Sequence, residues 1–254
     1  MQIDRMQSVP AGLSAAYVES WAAILPASAN EPERRLGDCA DETSIPAGLK
    51  RRMQPMARMG VACGLGVAPK CDADIVFCSR YGDIALAHQL LVALVGAEPM
   101  SPAGFSMSVH NTVPGILDLV RKARIGHTAV AAGTQTLSAG LTEAWLRLGK
   151  RPHLKLVLVF VDLPLPNIYS QFVDCDTGGV AFALCLSAER EEQAQISLVR
   201  SSDTGSDASA LDSPHAELLA RNLISSLQNG VPAVLRWRSQ GSLWSFGRNP
   251  DAAD

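Results

Sequence analysis

The chain has 254 residues, of which 47% are hydrophobic and 19% charged, with a formal net charge of −3. That length supports one large α/β domain with its own core, and the slightly acidic balance offers no basic field for nucleic acid. The longest uncharged apolar stretches, around 84–95 and 156–161, fall well short of the roughly 20 residues a membrane span needs, and the start of the chain shows no apolar run behind a basic one, so a cytoplasmic location is expected.

In chain order, residues 15–24 suit a strand, followed by a polar, Pro-containing loop to about residue 47. From 46 to 67, Leu49, Met53, Met56, Met59 and Ala62 recur at three- and four-residue steps, which predicts one amphipathic helix. Residues 73–78 form a buried-strand candidate. Asp83 is placed to cap a helix ending near Gly96, with Ile84, Leu86, Leu90, Leu91 and Leu94 as its apolar residues. Residues 101–111 are rich in small and turn residues and read as a packed loop. A helix is expected over 112–123 with Pro114 in its first turn, then a short strand over 125–130 and a helix over 131–148 closed by Gly149. Near-continuous apolar runs at 153–161 and 179–187 suit strands covered on both faces. An edge strand at 193–199, a flexible polar loop at 201–207, a helix from Ser213-Pro214 to Gln228 and a last strand at 231–237 complete the chain. The alternation of strands and helices predicts βαβ crossovers and an α/β fold with a mixed sheet between helical layers.

Few residues carry obvious chemistry. Cys39, Cys63, Cys71, Cys78, Cys175 and Cys185 lie at irregular spacings without a Cys-x-x-Cys, and read as reduced thiols; no metal or cofactor is expected. Asp174 and Asp176 would raise, not lower, the pKa of a thiol at Cys175. Gly64-Leu65-Gly66 lacks the third glycine and the preceding strand of a dinucleotide site. Lys50, Arg51, Arg52 and Arg58 form a local basic run, read as a solvated helix face that an acidic partner could use. Ser106 and Ser108 sit in no Gly-x-Ser-x-Gly elbow, and His110 reads as a structural histidine, with Asn111 tying the loop backbone.

Residues 127–133, His127-Thr128-Ala129-Val130-Ala131-Ala132-Gly133, resemble the Thr-Ala-Cys-Ala-Ser-Gly nucleophile segment of β-ketoacyl synthases, with valine in the cysteine's place. Three further segments extend the likeness: Arg51-Arg52-Met53, the stretch from Arg80-Tyr81-Gly82-Asp83 through residues 102–111, and residues 128–144; Asp162-Leu163-Pro164-Leu165-Pro166 is a weaker echo. The chain resembles the N-terminal half of a thiolase-fold ketosynthase, and within that family the short ketosynthase-like proteins of aryl polyene and xanthomonadin-type pigment clusters. The resemblance implies one incomplete ketosynthase fold with a mixed five-stranded sheet. Residues 1–190 would be the ketosynthase-like half, and 191–254 a short extension or a reduced second half. A family member holds the acyl chain on a thiolate, which Val130 lacks, and draws its decarboxylation histidines and part of its oxyanion site from second-half segments such as His-Gly-Thr-Gly-Thr and Asn-x-Phe-Gly-Phe-Gly-Gly, which are missing here. The implied role is therefore that of a non-catalytic chain-length factor, in a heterodimer with a complete ketosynthase and reaching an acyl carrier protein through that complex. The implied tunnel-lining or interface residues are Ile125, His127, Thr128, Val130, Thr134, Leu137, Leu141, Phe105, Met107, His110 and Asn111. A stand-alone acyltransferase or thioesterase using Ser108 and His110 is the competing reading.

Overall fold

In the computed structural model, residues 13–28, 31–69, 72–122, 126–175, 178–191, 195–229 and 234–248 are described. The elements run β1 (Ala16–Leu25), β2 (Arg34–Gly37), α1 (Ala47–Lys50), α2 (Pro55–Val67), β3 (Ala73–Cys78), α3 (Ile84–Val95), α4 (Pro102–Ser108), α5 (Thr112–Arg121), β4 (His127–Val130), α6 (Thr136–Lys150), β5 (Lys155–Asp162), β6 (Val180–Ser187), β7 (Ile196–Ser202), β8 (Leu211–Asp212), α7 (Ala216–Gln228), β9 (Leu235–Ser239) and β10 (Ser242–Arg248). One mixed sheet collects the strands in the order β4-β3-β5-β6-β1-β7-β10-β9-β8, with β2 paired to β1. Strands β4, β3 and β5 are parallel, so Val130, Cys78 and Asp162 end on the same side of the sheet. Ligands of open α/β sheets gather at such carboxyl ends.

Both faces of the central strands are buried, which explains their unbroken apolar sequences. On β5, Leu156, Leu158 and Phe160 point to one core, while Val157, Val159 and Val161 point to the other. The second core holds α2 and α5, with Met56, Val61, Val113 and Leu117. Helices α6 and α7 occupy the first, where Leu137, Leu141 and Leu223 meet Phe160 and Phe182. Strands β9 and β10 contribute Trp237, Trp244 and Phe246 to that same core. Trp145 of α6 meets Trp244 edge-on at 5.7 Å, so α6 is covered by the central strands on one side and by β10 on another.

Several sequence expectations are corrected. Pro55 splits the single helix expected at 46–67 into α1 and α2, because its ring suits a first helical position and not an interior one. The presumed loop at 101–111 contains α4; Pro102 opens it and the Ser101 side chain accepts from Gly104 N at 3.1 Å, which offsets the poor propensity of its small residues. Residues 34–37 leave the expected loop to pair with the end of β1. Helix α6 starts at Thr136, after a 3-10 turn over Gly133–Gln135, and runs through Gly149 to Lys150. Strand β7 is interior, between β1 and β10, and takes in Ser201 and Ser202. The chain also continues past the last expected strand: Gln240 and Gly241, with φ of 52° and 71°, turn β9 into β10. Among the described residues the sheet thus has ten strands, not five, because the C-terminal strands extend the free side of β1. Residues 231–233 of the expected last strand lie outside the described residues.

Helix α3 begins as expected, with Asp83 accepting from Leu86 N at 3.0 Å. Its apolar residues are not a core face. Only Leu86 is buried, whereas Val92, Leu94 and Val95 are 57%, 58% and 88% exposed.

Candidate functional site

At the end of β4, Val130 offers an isopropyl group partly buried against the α6–β5 core. Its carbonyl accepts from Ser79 N at 3.2 Å, tying the ends of β3 and β4 together. The chain then turns through Gly133, whose φ of +56° suits glycine, and enters α6. Thr136 fastens the turn: its hydroxyl accepts from Ala132 N at 2.9 Å and donates to the Gly133 carbonyl at 2.7 Å. Gly140 lets α6 lie directly on β3, since a Cβ there would stand 2.0 Å from Cys78 Sγ. The Cys78 thiol is fully buried, and burial pushes its pKa far above the ordinary thiol range. A strand, turn and helix N-terminus are therefore in place at position 130, with no nucleophile at the position and an inert thiol beside it.

Beside Val130, Asp162 closes β5 as a buried carboxyl. It accepts from Ser79 Oγ at 2.9 Å and from Arg80 N at 2.8 Å, and burial pushes its pKa up to about 7. Arg80 reaches outward to a bidentate pair with Asp174 at 2.6 and 2.7 Å. His215 Nε2 lies 3.0 Å from Asp174 Oδ1, so three distant segments meet at one ionic knot. Arg80 holds the Asp174 carboxyl down at about 2. A cleft of about 210 Å³ opens there, walled by Arg80, Tyr81, Leu163, Pro164, Phe172 and Cys175. It is smaller than the ~300–1,000 Å³ usual for ligand pockets.

The sequence-derived candidates separate into groups. His127, Thr128 and Val130 share β4, which pairs with β3 alone among the described strands and so forms one end of the sheet. His127 Nδ1 sits 2.6 Å from Asp118 Oδ2, and Thr128 Oγ1 accepts from Arg147. Thr134 is exposed in the turn, and Phe105 is 58% exposed on α4. Met107 packs partly against the α2–α5 core, and Asn111 precedes α5 without a side-chain cap bond. Leu137 and Leu141 are buried in the chain's own core, on the stripe that α6 turns inward. Ile125 lies outside the described residues.

His110 is a strut. Its Nε2 lies 2.9 Å from the Ser79 carbonyl, and its ring meets Phe77 edge-on at 5.5 Å. Ser108 Oγ donates to the Phe105 carbonyl at 2.9 Å instead of facing His110, so the two do not form the base-and-nucleophile couple that a hydrolase requires. Among the described residues no three His, Cys, Asp or Glu side chains gather as a metal site, and no helix is long and apolar enough to cross a membrane.

The sequence reading missed Arg80, Asp162, Asp174 and His215 as a group. Only Asp162 gave a local signal, an acid directly after an apolar strand. The others lie 94 and 41 residues apart in the contacts they make, beyond any motif spacing.

Comparison with known proteins agrees with this geometry. No curated protein matches. Among solved structures, a chain of the ketosynthase ApeO in complex with its chain length factor ApeC from Xenorhabdus doucetiae is 26% identical, with a TM-score of 0.69 over 92% of this chain and 99% of that one. The ishigamide ketosynthase/chain length factor (11% identical, TM-score 0.61, 91% and 98% covered) and a beta-ketoacyl synthase from Burkholderia phymatum STM815 (9%, 0.59, 93% and 100%) share the fold. The model of the beta-ketoacyl synthase N-terminal domain matches residues 19–245, nearly the whole described chain, and the protein therefore belongs to that family, with its thiolase-like fold.

Proposed function

We propose that this chain is a non-catalytic, chain-length-factor-like partner of a complete β-ketoacyl synthase, working in the cytoplasm on polyene or fatty-acid-type chains carried by an acyl carrier protein. The observation that carries the reading is Val130: the strand, turn and helix that would present a thiolate are intact, and the residue at their junction cannot form an acyl-enzyme. Three features support a partner. Strand β4 leaves its outer edge unpaired among the described strands, a liability that a second sheet removes. Apolar side chains stand exposed on α3 and α4, including Leu94, Val95 and Phe105, and such surface marks an interaction site. The cleft beside Asp162 is too small to enclose a long acyl chain, so a second wall would have to come from another subunit.

Residues 191–254 are read as a reduced second half, whose strand β10 sets Trp244 against Trp145 of α6. Co-expression with a complete ketosynthase tests the proposal. A stable stoichiometric complex that elongates carrier-bound acyl chains is expected, with the isolated chain gaining no acyl mass from acyl or malonyl carrier thioesters. Condensation by the isolated chain, or a covalent acyl adduct on it, overturns the proposal.

A further inference from the structure

Away from the strand ends, two cysteines are brought together by the segment that follows β2. Residues 38–40 lie across the C-terminal half of α2, and Ala40 N donates to the Ala62 carbonyl at 3.1 Å. Gly66 makes the approach possible, because a Cβ there would stand 1.7 Å from the Asp38 carbonyl oxygen. Cys39 and Cys63, each next in sequence to a partner in that bond, therefore share one spot, and Cys39 packs against the core cluster that contains Cys63. Cys39 is half-buried, with Sγ 3.2 Å from the Ala23 carbonyl and 3.3 Å from the Leu36 carbonyl, whereas Cys63 is fully buried. The two thiols lie close enough to shift each other's protonation.

We propose that Cys39 and Cys63 form a peroxide-sensitive dithiol, in which the accessible Cys39 is oxidised and the buried Cys63 resolves it into a disulfide joining the β2–α1 segment to α2. The Cys39 thiolate attacks a hydroperoxide O–O bond; sulfur gains the hydroxyl as sulfenic acid, and hydroxide leaves. The Cys63 sulfur then attacks the Cys39 sulfur. The S–S bond forms as the S–O bond breaks, the departing oxygen leaves as water, and the Cys63 proton ends on hydroxide. The balance is two thiols and one hydrogen peroxide to one disulfide and two waters, with the sulfurs losing two electrons and the peroxide gaining them. The environment divides the roles: the neighbouring Cys63 lowers the Cys39 thiol to about 7, while burial raises that of Cys63.

The test treats the full chain with stoichiometric hydrogen peroxide and maps non-reduced peptides by mass spectrometry. A Cys39–Cys63 disulfide that dithiothreitol reverses is expected. Cys63→Ala should stop Cys39 at a sulfenic acid that dimedone captures, and should move the pH midpoint of Cys39 alkylation upward. If peroxide drives wild-type Cys39 to higher acids while Cys63 stays free, or oxidises other cysteines first, or leaves both thiols intact, the proposal fails. The wild-type map decides this even if Cys63→Ala folds poorly.

Discussion

Replacing Gly140 by alanine probes how α6 is seated behind Val130. The added Cβ would lie 2.0 Å from Cys78 Sγ, with Cys78 Cβ at 3.4 Å and Leu158 Cδ1 at 3.7 Å, so the sulfur is the one serious obstacle. Carbon-scale contacts settle near ~3.5–4.0 Å, leaving an overlap of about 1.5 Å that fully buried Cys78 has little room to relieve. Overpacking of this kind costs about 1–3 kcal/mol, while alanine in place of an interior helical glycine contributes about 1 kcal/mol in the opposite direction. Gly140→Ala should therefore destabilise the protein by about 1 kcal/mol, lowering Tm by roughly 2–4 °C. In a Cys78→Ala background the sulfur is absent and only ordinary contacts remain, so the same substitution should stabilise by up to about 1 kcal/mol. The effect reverses sign, with a coupling near ~2 kcal/mol. Urea unfolding of the four proteins, followed by the fluorescence of Trp145 against Trp244, measures it. Equal effects of Gly140→Ala in both backgrounds would refute the packing argument.

Further outcomes follow from the same geometry. Val130→Cys restores the sulfur but not the decarboxylation histidines and oxyanion-site segment absent from the chain, so the isolated variant should yield no condensation product when carrier-bound acyl and malonyl substrates are assayed by mass; product formation would show that the rest of the machinery is present. Phe105→Asp, at a side chain 58% exposed, should change stability by no more than about 0.5 kcal/mol yet weaken binding to the partner ketosynthase at least tenfold in calorimetry; unchanged affinity would remove α4 from the interface. The raised pKa of Asp162 carries a definite sign: the folded chain keeps a proton that the unfolded chain releases between pH ~4 and 7, so this group lowers stability as pH rises through that window, and the loss is complete above pH 7. Asp162→Asn should flatten that part of the Tm–pH profile; an unaltered slope would mean that Asp162 is not the titrating group. Asp174, held low by Arg80, acts in the opposite direction and only toward pH 2.

The sequence by itself determined what depends on neighbours along the chain. The strands at 155–162 and 180–187 were legible because residues 156–161 and 180–186 run apolar without a break, a pattern that suits a doubly covered strand. The start of α3 was legible in its Asp83 cap, and the missing nucleophile in the identity of residue 130. The cap of α4 was readable too, in Ser101-Pro102, but the small residues after it outweighed that signal.

What only the tertiary structure decided involves partners distant in the chain. Nothing local in Trp244 states that it rests on Trp145 and so completes the covering of α6. The apolar residues of α3 were legible in the sequence, yet whether such residues meet the chain's own core or remain for another molecule depends on where the sheet stands. Arg80 and Asp174, and likewise Cys39 and Cys63, acquire their electrostatics only when distant segments set them side by side, because a charge or a thiol shifts its protonation in response to groups within a few ångströms, whatever their distance in sequence.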